Sequence, residues 1–350
     1  MDQQSGNRSR ATRSFAATRR AALGGAVAAT VAALGKVGGG GGYLTAEAKK
    51  KPKPPSPNGL LAVVEHGLTD GHTDTWSHLF TVMPKGKQLK QLTSGDEDVW
   101  DPRWSPDGTK ILVRRHVGDT DLWRFDADGG NPTNLTNSTD DGYSGTWSPD
   151  GTKIAFCRGK GSSTATELWI MDADGSHKSA LGVDGGNPDW SANGSPIVYQ
   201  WFATTAAMQL WSVKPDGSDK KQLTTDETVD HNWPRVSPDG SMIAFSSLDG
   251  IWVVGIDGSA AKRLTTAPTG SRDTNPAWAP TGTQILFVRN RTLQTVSSNG
   301  GKVKSLPVKG GPYYVDWQTN PAAATPRNSG DRRRVSNLET HGVRSGHRQS

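Results

Sequence analysis

A motif that recurs five times in the middle of this chain constrains its fold more than any other feature. In each copy a short predicted strand ends at an anchor residue, turns through Ser-Pro-Asp-Gly or a close variant, and enters an apolar run. The anchors are Trp104, Trp147, Trp190, Val236 and Trp278. They recur at about 40–45 residues, the length of one four-stranded β-propeller blade. The spacing therefore predicts an all-β chain built from consecutive blades.

Each repeat contains the parts of a four-stranded antiparallel blade. After the anchor, the proline presets φ at the second turn position, and the glycine supplies the positive φ that closes a hairpin. The third predicted strand carries an apolar residue followed by Trp, as at Leu122-Trp123, and the fourth ends in Leu-Thr, as at Leu135-Thr136. A second turn, such as Asp126–Gly129, joins the third and fourth strands.

Two incomplete pieces at the ends of the array predict how the ring closes. Residues 60–93 contain a second, third and fourth strand without a first, and Tyr313–Trp317 is a first strand with nothing after it. Joined, they make a sixth blade and leave no long unpaired edge. The sequence therefore predicts a six-bladed β-propeller over residues 60–318. We expect Trp317 to be buried between blades, as we expect for Trp104 and Trp278.

The repeated Trp-Ser-Pro-Asp-Gly pattern resembles the TolB-like propeller family, which is related to WD-repeat propellers. The resemblance covers nearly all of Leu60 to Trp317. It implies a propeller that binds peptides or proteins in the cell envelope. One fold hosts many functions, so the resemblance indicates the fold more specifically than the task.

The two ends of the chain read as segments outside the propeller. Residues 18–23, Thr-Arg-Arg-Ala-Ala-Leu, resemble the twin-arginine export motif, and Ala46–Ala48 is a small-x-small cleavage pattern. We predict a signal peptide at 1–48, a Lys/Pro linker at 49–59 and a disordered basic tail at 319–350. The protein is then expected to be secreted, periplasmic or envelope-associated, with no transmembrane anchor after cleavage.

The charge distribution argues against nucleic acid as a partner. The chain carries a net charge of +6, but residues 1–59 contribute +8 and residues 319–350 contribute +4. The body between them is therefore acidic, at −6. An acidic body does not suit a phosphate backbone. We expect a monomer whose partner is a protein, peptide or glycan of the envelope.

Catalytic and metal-binding motifs give little signal. Gly142–Thr146 approaches G-x-S-x-G but lacks the final glycine. The Asp-x-Asp-Gly segments lack the later acidic ligand of a calcium loop and are predicted to be hairpin turns. We predict no cofactor. A divalent cation at the channel mouth stays open, with His66, His72 and His231 as weak candidate ligands.

The topology of a propeller separates two faces. The short-turn face carries the Ser-Pro-Asp-Gly and Asp-Ala-Asp-Gly turns, and the wide-loop face carries the second-to-third loops and the connections between blades. Ligands usually meet irregular loops on a rigid scaffold. Tryptophans outside the repeat and most loop acids fall on the wide-loop face. The candidate ligand-binding residues are Trp100, Asp98, Asp101, Asp141, Tyr143, Asp230, His231, Trp233, Arg272, Asp273 and Tyr313.

Aromatic rings beside carboxylates suit a basic peptide, a sugar or a cation. We interpret the protein as an exported, non-catalytic binding module that holds a peptide, protein segment or glycan on the wide-loop face. Two alternatives stay open. One is an exported propeller enzyme, such as a glycan lyase or hydrolase with a His/carboxylate or metal site at the same mouth. The other is a structural scaffold in a surface assembly.

Overall fold

Antiparallel β-strands make up the regular structure of the protein. A computed structural model describes residues 59–66, 76–138, 142–159, 166–202, 207–226, 228–247 and 250–318. Within these ranges twenty-four strands form six sheets of four. The predicted six-bladed, all-β propeller is therefore confirmed. No helix in the described part of the chain is long and apolar enough to cross a membrane. The predicted signal peptide, the tail and all of the linker except Gly59 lie outside the described residues.

The first three blades consist of consecutive strands, except that the last strand of the chain pairs into the first blade. The strands of blade 1 are β1 (Leu61–His66), β2 (Ser77–Val82), β3 (Lys90–Gln91) and β24 (Pro312–Trp317). The strands of blade 2 are β4 (Asp98–Trp104), β5 (Lys110–Val117), β6 (Asp119–Asp126) and β7 (Thr133–Asn134). The strands of blade 3 are β8 (Gly142–Trp147), β9 (Lys153–Gly159), β10 (Thr166–Asp172) and β11 (Ser179–Asp184).

The remaining three blades follow the chain in order. The strands of blade 4 are β12 (Gly186–Trp190), β13 (Ile197–Trp201), β14 (Gln209–Val213) and β15 (Lys221–Gln222). The strands of blade 5 are β16 (Asn232–Val236), β17 (Met242–Ser247), β18 (Gly250–Gly255) and β19 (Lys262–Arg263). The strands of blade 6 are β20 (Asp273–Trp278), β21 (Gln284–Arg289), β22 (Thr292–Ser297) and β23 (Lys304–Ser305).

The predicted ring closure is confirmed. Strand β24 pairs antiparallel with β1, with Leu61 opposite Trp317, and the innermost strands contact one another in a closed circle. Trp317 is 4% exposed and Trp104 is 6% exposed. Trp278 is only partly buried, which corrects the expectation that all three are enclosed alike. Its ring borders a cavity at the end of the channel.

The core is divided among the blade interfaces. Because successive strand residues point to opposite sides of a sheet, each blade offers one apolar set to each neighbour. Six buried clusters result, one between each pair of consecutive blades. Trp317, for example, packs with Ala277 and Leu286 of blade 6. The blades are thus held mainly by side-chain burial between sheets.

A β-bulge interrupts the innermost strand of each blade and shapes the channel wall. In blades 2 to 6 the pairing register shifts within the five residues before the anchor, and in blade 1 it shifts opposite Val64 and Glu65. In four blades the bulged residue has a left-handed φ and precedes a proline. These residues are Asp101, Asn187, Trp233 and Asn275, with φ of 52°, 48°, 53° and 52°.

The wide-loop face is more regular than its sequence suggested. Blades 2 and 6 join their second and third strands by turns of one and two residues, and in blade 5 only two residues separate these strands. Long connections at this position occur in blades 1, 3 and 4, and parts of them lie outside the described residues. The prediction that the loops of this face are long and irregular is therefore wrong for the connections in blades 2, 5 and 6, because the paired β-strands continue to within one or two residues of each other.

One turn glycine on the short-turn face packs closely against the backbone of the previous blade, and a glycine in β11 offers a comparison. Gly175 has φ +90°, and a Cβ built on it would lie 2.7 Å from the carbonyl oxygen of Leu135. Gly182 has φ +69°, and a Cβ there would meet nothing within 4 Å. The two positions therefore share a left-handed backbone but differ in the space around it.

We predict that Gly175→Ala lowers the free energy of unfolding by about 2–3 kcal/mol, since the methyl group must displace backbone as well as strain φ. Gly182→Ala is the control and should cost about 1 kcal/mol. Urea unfolding of both variants checks this. Equal losses would show that φ alone decides, and that the close approach of the blades contributes nothing.

Candidate functional site

A cavity of about 500 Å³ opens at the wide-loop end of the channel. Residues at the bulges of the innermost strands, among them Asp101, Asn187 and Trp233, supply much of its wall. Blades 1 to 5 all contribute to its lining. The lining side chains include Asp101, Arg114, Ser144, Asn187, Gln200, Trp201, Phe202, Trp233 and Tyr314.

Polar groups on three neighbouring blades form one hydrogen-bond network at this cavity. The hydroxyl of Ser144 lies 2.8 Å from the Asp101 carboxylate and 2.6 Å from Oδ1 of Asn187. Arg114 places its Nε 3.7 Å from Asp101, and its guanidinium lies 4.5 Å above the Trp100 ring. The charge of Asp101 is thus partly balanced, and the network holds side chains from blades 2, 3 and 4 in fixed positions.

Trp233 is the unusual member of the cavity wall. It has φ +53° and precedes Pro234, a conformation that asparagine and aspartate adopt far more readily than a bulky aromatic residue. The equivalent residues of blades 2, 4 and 6 are Asp or Asn. Its backbone N–H donates to Oε1 of Gln200 at 2.8 Å, and its ring is partly exposed at the cavity.

A smaller cavity of about 320 Å³ lies beside blades 6 and 1. Arg272 and Tyr313 both line it, together with Asn275 and Arg291. The guanidinium of Arg291 lies 4.7 Å above the Tyr313 ring. This second group of sequence-predicted residues is therefore brought together, but around a different opening from Asp101 and Trp233.

Three of the predicted acids use their carboxylates to tie the fold together. Asp98 accepts hydrogen bonds from the backbone N–H and hydroxyl of Ser77, both at 2.8 Å. Asp230 accepts the backbone N–H of Met208 at 2.7 Å. Asp273 is 1% exposed and binds the Arg289 guanidinium at 2.5 and 2.7 Å. The structure gives these acids partners within the propeller.

The structure describes only some of the remaining predicted site residues. His231 is 8% exposed, with Nδ1 2.9 Å from the Thr224 hydroxyl, and burial lowers its pKa. His72, Asp141 and the side chains of His66 and Tyr143 lie outside the described residues. Among the residues that the structure describes, no group of three His, Cys, Asp or Glu side chains could hold a metal ion.

Sequence reasoning missed several residues of the larger cavity, among them Arg114, Ser144 and Asn187. Asn187 could have been found, since it occupies the same position in its repeat as Asp101 and Trp233 and also precedes a proline. Arg114 carried no such signal. It reaches the cavity because it lies directly opposite Trp100 across the β4–β5 ladder.

A buried acid without a partner lies at the junction of blades 1 and 6. Glu65 is 0% exposed, and neither carboxylate oxygen has a hydrogen-bond partner in the part of the chain described. His78 lies directly opposite on β2 and is also buried, with Nδ1 unpaired. Burial raises the pKa of Glu65 to about 7, although the nearby Arg291 charge opposes this.

We predict that Glu65→Gln stabilises the protein above neutral pH. The raised pKa means that protonated Glu65 contributes stability at acidic pH and that this is lost as pH rises from about 4.5 through about 7. The glutamine cannot ionise, so the variant should be more stable by about 1–2 kcal/mol at pH 8 and nearly equal at pH 4. Thermal unfolding at both pH values checks this; a gap that does not change with pH would contradict it.

Sequence comparison finds one family and one distant relative. Residues 56–233 match the family described as the TolB β-propeller domain. An uncharacterised protein of Agrobacterium fabrum is 27% identical over 139 residues, which is 35% of this chain and 47% of the relative. The chain thus spans about half the length of that curated relative in the match.

Solved structures with the same fold include two TolB proteins. TolB from Acinetobacter baumannii is 19% identical with a TM-score of 0.63, over 74% of this chain and 66% of that one. A putative TolB from Agrobacterium tumefaciens is 20% identical with a TM-score of 0.58, over 73% and 91%. At these identities the likeness concerns the fold.

Proposed function

Because the chain belongs to the TolB β-propeller domain family, we propose that it is an exported binding module that holds a peptide, protein segment or glycan of the cell envelope at the wide-loop mouth. The observation that carries the proposal is Trp233. A bulky aromatic residue in a left-handed, pre-proline position costs conformational free energy, about 1 kcal/mol or more. Such backbone strain is concentrated at functional sites, where the side chain of the strained residue takes part in the function.

The surroundings of Trp233 support a binding role for its ring. Phe202, another large apolar residue on the same cavity, is 58% exposed. Asp101 and Arg114 add charged groups held in place by hydrogen bonds and ring contact. Exposed rings beside a few fixed polar groups are the usual composition of a ligand pocket. A cavity of about 500 Å³ suits a few peptide residues or sugar rings.

Export is part of this proposal. The twin-arginine-like segment and the small-x-small pattern support it. The match of residues 56–233 to the TolB β-propeller domain family also supports export, because the resemblance to that family implies a place in the cell envelope. An acidic propeller body with balanced charges at the mouth is consistent with a protein or glycan partner rather than nucleic acid.

The proposal predicts loss of partner capture when two rings are removed, Trp233 in the cavity wall and Trp100, against which the guanidinium of Arg114 stacks. A Trp100→Ala/Trp233→Ala variant should recover less than about one tenth of the partner that the wild-type protein recovers from envelope extract, since central tryptophans often contribute most of the binding free energy. Quantitative pull-down against the same extract checks this. Digesting the extract with protease or with glycosidases beforehand distinguishes a protein partner from a glycan.

Leu89→Ala is the matched control, since it removes an exposed apolar side chain of blade 1 far from the mouth. It should recover the partner as the wild type does. If the double variant, folded by circular dichroism, recovers every partner at wild-type levels, the wide-loop mouth is not the binding site.

A further inference from the structure

The other end of the channel holds a second, larger well. It has a volume of about 630 Å³ and lies at the short-turn face. Tryptophan rings and turn prolines form its wall, among them Trp147, Trp190 and Pro238. No residue predicted from the sequence to bind a ligand lines it. It is therefore separate from the wide-loop cavity around Trp233.

Charged residues of four blades meet on the floor of this well. They occupy the position just before the anchor in their repeats and are Arg103, Asp189, Arg235 and Asp316. The Asp189 carboxylate lies 3.9 Å from Arg103 and 3.8 Å from Arg235, and it accepts the backbone N–H of Val236 at 2.7 Å. Asp316 accepts the backbone N–H of Trp104 at 2.8 Å. The aspartates thus have donors within the protein.

The unpaired polar atoms of the well are donors. Among the described side chains that line it, the buried nitrogen or oxygen atoms without a hydrogen-bond partner are Nε and Nη1 of Arg103 and Nε1 of Trp104. Arg103 is 8% exposed. The indoles of Trp147 and Trp278 donate instead to carbonyl oxygens of other blades. Leaving buried charged donors unpaired is costly, so a ligand that supplies acceptor oxygens would be favoured here.

We propose that the short-turn well binds the carboxylate of a small molecule or chain end whose body is a flat or apolar ring. The Arg103 guanidinium and the Trp104 indole would donate to its oxygens, since a planar guanidinium matches a planar carboxylate. The tryptophan and proline wall would hold the ring. A singly charged carboxylate fits better than phosphate, because Asp189 and Asp316 beside the arginines repel a dianion more strongly.

Binding at this well should depend on pH. Burial raises the pKa of Asp189 and of Asp316 to about 6, against the opposing charge of Arg103. The charged groups on the floor are these two acids, Arg103 and Arg235, and Asp239 at the rim is engaged with Ser237 and Ser241. Protonation of the two acids removes the repulsion while the ligand carboxylate stays ionised. Affinity should therefore rise as pH falls from 7.5 to 5.5.

Titration of the purified full chain with N-acetylphenylalanine and its amide tests the proposal. The acid should bind at least about tenfold more tightly than the amide and about threefold or more tightly at pH 5.5 than at pH 7.5. The nuclear magnetic resonance signal of the Trp104 indole N–H, assigned with Trp104→Phe, should shift on binding, while that of Trp233 should not. Glucuronate against glucose asks whether a sugar acid is preferred as the source of the carboxylate.

Each of four results would overturn the proposal. Two concern the acid and the amide: equal binding of both, or no binding of either at 10 mM, which corresponds to about 2.7 kcal/mol. The others are tighter binding of inorganic phosphate than of the acid, and a shift of the indole signal confined to Trp233. Arg103→Lys should weaken binding of the acid about tenfold and weaken binding of the amide less, so that the acid-to-amide ratio falls. If that variant fails to fold, the acid-to-amide ratio on the wild-type protein still decides. The Trp104 signal reports on the short-turn well and the Trp233 signal on the wide-loop cavity, so the two proposals can fail separately.

Discussion

Removal of residues 312–350 is expected to destabilise the entire ring, whereas removal of residues 320–350 should leave its melting temperature nearly unchanged. The first deletion removes β24, the innermost strand of blade 1, and exposes the backbone edge of β1. The second keeps β24 and Gln318, whose side chain accepts the N–H of Leu60 at 2.9 Å and donates to Gly108 at 2.8 Å.

The large effect follows from how many blades the last strand touches. Trp317 packs into the cluster shared with blade 6, and Asp316 binds the backbone of Trp104 in blade 2. Truncating an aromatic residue this buried costs about 3–5 kcal/mol. Typical domains possess roughly 5–15 kcal/mol in all, so Trp317→Ala alone should remove a large part of the stability.

Circular dichroism melting of both truncations and of Trp317→Ala checks this prediction. The truncation at 320 serves as the control for loss of chain length and of basic residues. If the protein lacking residues 312–350 melts like the full chain, the last strand does not close the ring and the packing at blades 1 and 6 must be different.

Trp233→Asn is expected to separate binding from stability. Asparagine tolerates the left-handed φ that the tryptophan adopts there, and blades 4 and 6 already carry asparagine at this position. The free energy of unfolding should stay the same or rise by up to about 1 kcal/mol. Partner capture should fall about tenfold, the effect of losing a central aromatic contact.

Urea unfolding and quantitative capture on the same protein preparation measure the two effects. Asn187→Trp is the reciprocal variant. It should create the strain and also remove the hydrogen bond between Ser144 and Asn187, and so lower stability by about 1 kcal/mol or more. A Trp233→Asn variant that is clearly less stable than the wild type would show that the ring is needed for the fold, and the argument from strain would be lost.

The repeat was sufficient to predict the blades and their closure. The anchor spacing, the turn residues, the three strands without a first at the start of the array and the one strand left at its end each correspond to a strand or turn in the structure. Connection lengths were predicted less well. The tight turn at Gly118, for example, could not be inferred, because nothing in the sequence marks how far β5 and β6 continue as a ladder.

The candidate residues illustrate why composition alone is a weak guide to a site. Asp273 and His231 lie in acidic segments, yet their polar atoms bind Arg289 and Thr224 within the protein. Arg103 and Asp189 lie inside the repeat, where blade packing accounts for most positions, so nothing in the sequence distinguishes them as binding residues. Their meeting at the channel floor depends on the curvature of the whole ring, which no single repeat encodes.

The most direct test of the binding proposal is site-specific photo-crosslinking in intact cells. A photoreactive phenylalanine analogue would replace Phe202 at the wide-loop mouth, Ala192 at the rim of the short-turn well, or Leu89 on the outer strand side of blade 1, with Trp233 kept in place. We predict a discrete envelope adduct from position 202 and none from position 89. Adducts from positions 89 and 202 alike, or none from 202, would contradict a binding mouth on the wide-loop face.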